Sequence, residues 1–503
     1  MRDLLKRSVL GLGLTAGSVV LTSTFTVSVA GAESRVLSGP ELYQRCYIRL
    51  VRKPPMEADP LLVRVKAGTL GAEQACLSLF DRGLFEASTG RVKNPADTEA
   101  VEIVRTMHDL HRSFFQSRRF AGSGSGAAQL STAIVKDMEE PALFFTRAAL
   151  LSGTRVDSVL KLNSGLKGLR ERPATSKLNN FEAQRFARMT EFPSAMSLSY
   201  AQPPVGLAVD DSEIVETGTL VGVAATTPLR VPSMLLPGIG NAELRTATVA
   251  ATTNVDLRKH HGGGILGSQG FIMSNLNVPI NRFPEGEGEI NRRLTSRIYQ
   301  DLMCHEMPTL ETQDVEGDVI RGSQYAFRND ASCMRCHSSL DPLAMTYKNI
   351  IQLSSSRDVS AQNREGMPVV SMISVGTKAG STQFNLQAPT GQLRYRELLT
   401  GALIEHNVTN IADAANKIAS GKDFYTCAAK RYYKFFTGID VPLRPLDPAS
   451  TTFELDKVHQ NKIVELANVL KTSQSVRTLF SEIFKSEAFK SSDYKSQLYK
   501  EAK

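Results

Sequence analysis

Cys333-Met334-Arg335-Cys336-His337 combines residue types and spacing that can do chemistry. Two thiols three positions apart fall on one helical turn, and an imidazole follows the second. In that arrangement each thiol can add to a vinyl group of one porphyrin, and His337 lies where it can coordinate the iron. With six cysteines and eight histidines in 503 residues, composition alone yields such a match roughly once in a thousand chains. The expectation is one covalently bound haem c, held by Cys333 and Cys336, with His337 as the proximal iron ligand. Two other chemistries use part of the pattern. A dithiol redox pair needs only the CxxC and leaves His337 incidental. A zinc site needs four ligands, and no second CxxC or HxxxH accompanies the first.

The residues after the motif extend this reading. Leu340-Asp341-Pro342-Leu343 is a largely apolar stretch that can wall a haem edge, so Pro342 and Leu343 are expected to contact the cofactor. A carbonyl near Pro342 is the expected acceptor for the Nδ1–H of His337. The sixth iron ligand is left open. Met367 and Met372 are the candidates, since they lie 30 and 35 residues past His337 on a loop and a strand. His108, His305 and His406 read better as core or surface histidines, and a five-coordinate iron is the remaining alternative. Outside the motif, Cys46, Cys76, Cys304 and Cys427 allow three pairings. An oxidising compartment favours bridges. Cys46–Cys76 and Cys304–Cys427 are the expected pairs, against buried free thiols. His260-His261 before three glycines reads as a turn, and His108 with His111 as histidines satisfied in a helix face.

The elements that must position these residues are mostly helices. Apolar residues recur at helical spacing through 39–90, in Leu42, Cys46 and Leu50, in Leu61, Leu62 and Val65, and in Ala72 to Phe80. Asn94-Pro95 is expected to open a helix whose inner side carries Val101, Val104, His108, His111 and Phe115. Helical pattern continues over 130–162 and returns over 287–304. Between them, Val- and Thr-rich segments with Gly and Pro breaks read as strands or irregular loops. Val369 to Val375 reads as a strand turning into Gln383 to Gln387. From Leu393 the chain reads as helical to its end, with Val476, Leu479, Ile483 and Phe484 as the inner face of the last helix.

Composition sets the class. Hydrophobic residues make up 42% and charged residues 22%, the range of a folded soluble protein. Six cysteines are too few for a disulfide-built scaffold. Arg2, Lys6 and Arg7 precede an uncharged run from Val9 to Val29, and Ala30-Gly31-Ala32 then gives a small-x-small cleavage pattern. The expectation is a cleaved signal peptide and a periplasmic or exported protein without an integral membrane span; an uncleaved leader would be a membrane anchor. The net charge of +8 is spread along the chain. Nucleic acid is not expected as a partner; the charge reads first as an ordinary solvated surface, and an acidic redox protein, its identity open, is the sharper alternative. There is no G-x-S-x-G, and no Gly-rich stretch is followed by the Lys-Ser/Thr of a phosphate loop.

Taken with its surroundings, CMRCHSSLDPLAM resembles the haem module of the multidomain cytochrome-c-like proteins found in planctomycetes and myxobacteria. Three further stretches carry the resemblance. Upstream lie Gly264-Ile265-Leu266-Gly267, Asn291-Arg292-Arg293 and Leu302-Met303-Cys304 with Pro308. Downstream lie Phe424-Tyr425-Thr426-Cys427, Tyr432-Tyr433 and Thr437-Gly438. At the N-terminus, Leu42-Tyr43 through Arg49 to Pro54-Pro55 is similar to that family's first helical module. The likeness is good over 260–490. The family's Gly-Phe after the Pro-Leu is here Ala344-Met345, and its closing Gly-Arg is Gly438-Ile439. The resemblance implies haem binding and electron transfer, not a defined reaction.

The expected protein is therefore mainly α, with helical modules around a monohaem cytochrome-c-like domain and a minor β or irregular middle region. The expected segments are a signal peptide (1–32), an N-terminal helical module (33–192), a connecting region (193–259), a haem module (260–390), a C-terminal helical domain (391–496) and a flexible tail (497–503). One-electron transfer is the expected function. The alternatives are a haem-dependent oxidoreductase, peroxidase-like or dehydrogenase-linked, and an envelope protein whose haem is structural.

Overall fold

The computed structural model describes residues 35–115, 140–162, 166–169, 206–209, 229–230, 262–268, 271–272, 275, 292–348, 350–355, 370–374, 379–380 and 387–492. The leader, Met367, His260-His261 and the tail fall outside them. The described chain is mainly helical, as its periodicity predicts. None of its helices is long and apolar enough to cross a membrane.

Three short helices come first: α1 (Gly39–Val51), α2 (Pro60–Lys66) and α3 (Ala72–Arg82). α1 starts with a capping box between Ser38 and Glu41 and α2 with the Asp59 carboxylate, so both N-termini have their free N–H groups satisfied. α4 (Thr98–Arg112) starts later than Asn94-Pro95 suggests. Its cap is Asp97, whose Oδ1 accepts from the N–H groups of Glu99 (3.0 Å) and Ala100 (3.1 Å), while Arg82 holds the same carboxylate with two donors. Asn94 instead caps the turn before it, accepting from Ala96 N–H at 3.1 Å. α5 (Glu140–Leu150) and α6 (Ser158–Lys161) follow.

The β content is small. β1 (Leu166–Leu169) pairs antiparallel with β2 (Gly206–Val209). β3 (Leu229–Arg230), β4 (Ile350–Ser355) and β5 (Val370–Ser374) form an antiparallel sheet in that order. Among the described residues the partner of β5 is the upstream β4; the expected continuation at 383–387 lies almost wholly outside them. β6 (Gly391–Arg396) and β7 (Leu403–Val408) make a hairpin where a helix was expected. The reason is legible: Leu393 and Tyr395 alternate with less buried neighbours, a period of two. Helices resume only at α10 (Ile411–Ser420), for which the numbering passes over α7 (Arg292–Arg297), α8 (Thr312–Val315) and α9 (Ala331–Ala344). They continue as α11 (Asp423–Thr437), α12 (Phe453–Ser473), α13 (Val476–Lys485) and α14 (Glu487–Lys490).

One buried cluster joins the first and last of these helices. Its centre is aromatic: Phe480 of α13 meets Phe436 (4.9 Å), Phe80 (5.0 Å) and Tyr432 (5.2 Å) edge to face, so α3, α11 and α13 share one contact. The expected inner face of α13 is fully buried. Cys304 and Cys427 form a disulfide that ties the loop after α7 to α11. The other expected bridge is not formed. Cys46 and Cys76 are free, fully buried and in contact, and burial followed by Cys76 beside it holds the Cys46 thiol well above its ordinary range. Residues 35–37 and 490–492 lie side by side, with Leu37 N–H donating to Lys490 O (2.8 Å) and Ser492 N–H to Arg35 O (2.8 Å).

Candidate functional site

The CxxCH stretch occupies the first two turns of α9. Asp330 caps this helix, its carboxylate accepting from Ser332 N–H at 2.7 Å, and bonds from the Ser332 hydroxyl and N–H hold it below the usual carboxylate range. At about 100° per residue, Cys333, Cys336 and His337 span an arc of roughly 100° on one side of the helix. Other sides of α9 are fixed to the protein. Met334 packs with Leu310 and Val315 in a small separate cluster, and Leu343 is fully buried in the main core. The Arg335 guanidinium donates to Leu310 O at 2.9 Å. The helix is therefore anchored, and both motif thiols are free and partly exposed.

His337 is oriented by its neighbours. Its Nδ1 lies 3.1 Å from Asp341 Oδ2, four residues along the same helix. A carboxylate can only accept here, so Nδ1 carries a proton, and in the neutral form of the ring Nε2 keeps its lone pair. No described residue engages Nε2. Asp341 is clamped in turn by Arg292 of α7, with Nε 2.5 Å from Oδ1 and Nη2 2.9 Å from Oδ2. Phe327 stacks on the imidazole at 4.1 Å with 25° between the planes, and the Arg292 guanidinium carbon lies 5.5 Å from the centre of the same Phe327 ring. Burial pushes the Asp341 carboxyl up, but the bonds from His337 and Arg292 and their charges outweigh it, leaving the group below its ordinary value. Cys336 is pushed up by burial and by Cys333, against the pull of Arg335, so its sulfur rests as a thiol.

The expected acceptor for His337 was a carbonyl near Pro342. The acceptor is the Asp341 side chain, because a helix brings i and i+4 side chains together while its carbonyls point along its own axis. Pro342 sits inside α9, and its carbonyl faces β6: a Cβ on Gly391 would stand 2.6 Å from it. Glycine is needed at 391 for that close approach. The far end of α9 is pinned by Tyr347, whose buried hydroxyl donates to Leu266 O at 3.0 Å. That carbonyl belongs to the turn at Gly264–Gly267, where Gly264 has φ +55° and its backbone lies against Val159 O.

The structure thus brings Cys333, Cys336 and His337 together, with Pro342 two turns on and Leu343 directed into the core. Met372 lies on β5 opposite Gln352 of β4, with its side chain outside the description. The histidines weighed as distal ligands are placed elsewhere. His305 is buried and donates from Nε2 to Asp423 at 2.7 Å. His108 is buried near Thr146, and His111 bonds Thr146 (2.9 Å) and Tyr432 (2.8 Å). His406 is exposed on β7. Sequence reasoning missed the roles of Asp341, Arg292 and Phe327. For Asp341 the i+4 spacing to His337 was the available signal; Phe327 offered none. Among the described residues no group of three or more His, Cys, Asp or Glu side chains is arranged to hold a metal ion. No family model, curated protein or solved structure matches the chain.

Proposed function

We propose that this chain is an exported c-type cytochrome that carries one covalent haem and passes single electrons. The observation that supports it is the pairing of two free, partly exposed thiols with an imidazole whose Nδ1 is already committed, all on one anchored helical face. The residues present fit the group. Each thiol can add across a vinyl double bond, the sulfur bonding to one carbon and the hydrogen going to the other, with no oxidant required. Cys333 and Cys336 would hold the porphyrin, and His337 would offer Nε2 to the iron. The iron supplies the redox change when the group is bound. The protein's part is orientation and electrostatics. Asp341 keeps the proton on Nδ1 and raises the basicity of Nε2, Arg292 keeps Asp341 in place, and Phe327 limits rotation of the ring.

The carboxylate behind His337 favours a second reading, a haem-dependent oxidoreductase. A strongly donating proximal ligand with an open sixth position suits ligand binding and peroxide chemistry. A low-spin spectrum unchanged by added cyanide or peroxide supports the carrier; a high-spin spectrum with ligand-induced shifts supports the enzyme.

The test is expression with haem-attachment machinery. The expected protein is coloured, shows the reduced α-band of thioether-linked haem, and keeps the haem through denaturing electrophoresis. The double variant Cys333→Ala/Cys336→Ala is expected to lose that retention. A colourless wild-type protein would overturn the proposal.

A further inference from the structure

A pocket of about 900 Å³ opens beside the disulfide, between α11, the end of α4 and the loop that carries Cys304. Four cations line it: Arg49 from α1, and Lys430, Arg431 and Lys434 from α11. Two carboxylates, Glu306 and Asp440, face them. Asp440 serves two lysines at once, Lys430 at 3.1 Å and Lys434 at 2.5 Å. Arg49 makes no ion pair with any described residue. The Arg431 guanidinium is met by neutral groups: it donates to the backbone carbonyls of Asp301 (2.5 Å) and Gln300 (3.4 Å) and lies 4.8 Å from the centre of the Phe114 ring. Burial lowers Arg431 to about 10, with the Asp301 charge opposing, so it remains charged at neutral pH.

Positive charge therefore exceeds negative in a concave site, and two guanidinium forks reach it from different helices. Guanidinium planes match the oxygen spacing of phosphate and carboxylate groups. The volume lies within the range of small-molecule sites, roughly 300–1,000 Å³. The Cys304–Cys427 bridge ties the loop wall to the helix that carries three of the cations, so little ordering remains to be done on binding.

We infer that this pocket binds a small multivalent oxyanion, of the phosphate or polycarboxylate type. The site is separate from α9 and does not require haem. The experiment uses the full chain, with inorganic pyrophosphate and citrate as probes and sodium chloride at matched ionic strength as the control for screening. The expected result is saturable heat on titration and a rise in melting temperature beyond the salt control for at least one probe; the stronger of the two distinguishes a phosphate from a carboxylate ligand. Arg49→Gln and Lys434→Gln, both exposed positions, are each expected to weaken binding about tenfold. Lys93→Gln, outside the pocket, is expected to leave it unchanged. Binding no stronger than the salt effect, or equal binding by Arg49→Gln and the wild type, would overturn the inference.

Discussion

Asp341 is four residues from His337 and within hydrogen-bond reach of it, which makes the imidazole a stronger donor than a neutral acceptor would. An electron-rich ligand favours the oxidised iron. Replacing Asp341 by Asn keeps the shape but exchanges a charge-assisted bond for a neutral one, a loss of about 1 kcal/mol. The expected consequence in the haem-loaded protein is a midpoint potential raised on the order of 40 mV for one electron, read by spectroelectrochemistry; a lowered or unmoved potential would remove Asp341 from this role. The CxxCH motif itself was legible because its residues stand side by side in the sequence. Its support was less so. Arg292 and Phe327 come from other segments, and only the fold brings a distant guanidinium and ring to one imidazole.

At the scale of elements, α8 and β6 hold the surroundings of α9 through Asp314, which accepts from Arg396 Nε and Nη2 at 2.7 Å each. Arg396 is the main cause that holds the Asp314 carboxyl below its ordinary value, against burial. A carboxylate with a depressed folded value adds stability at neutral pH, and loses it as the pH falls below about 4 through the folded value. Asp314→Asn is therefore expected to be less stable than the wild type at pH 7 and to show a smaller loss between pH 4 and pH 3, followed by urea denaturation at each pH. Gly391 makes a second prediction. Gly391→Ala puts a methyl group against Pro342 O and is expected to cost about 1–3 kcal/mol, with the same measurement as its check. Helices were well marked in the sequence, because a 3.6-residue period survives over three turns in α1, α3, α4 and α13. The β6–β7 hairpin was not, because six-residue strands offer only two or three repeats of their pattern before the next helix begins. The start of α4 was misplaced for a related reason: Asn94 and Asp97 are both good caps, and the choice between them depends on Arg82, on another helix.

Across the whole molecule, periodicity shows that a face is buried but not which helix buries it. Phe480 meets Phe80 from the opposite end of the chain as well as the nearer Phe436, and Phe480→Ala is expected to cost about 3–5 kcal/mol in urea unfolding. Cysteine pairing was half legible for the same reason: Cys304 and Cys427 are bridged at a separation of 123 residues, whereas Cys46 and Cys76, nearer in sequence, stay reduced in the core. The antiparallel seam between residues 35–37 and 490–492 has a consequence for synthesis. A polypeptide that emerges amino end first cannot close that seam until more than 450 residues later, since Arg35 and Ser492 stand 457 positions apart. Only this short strip waits, because α1 itself packs mainly on α2, α3 and α4, which follow it directly in the chain. A contact of such sequence separation forms late and closes slowly.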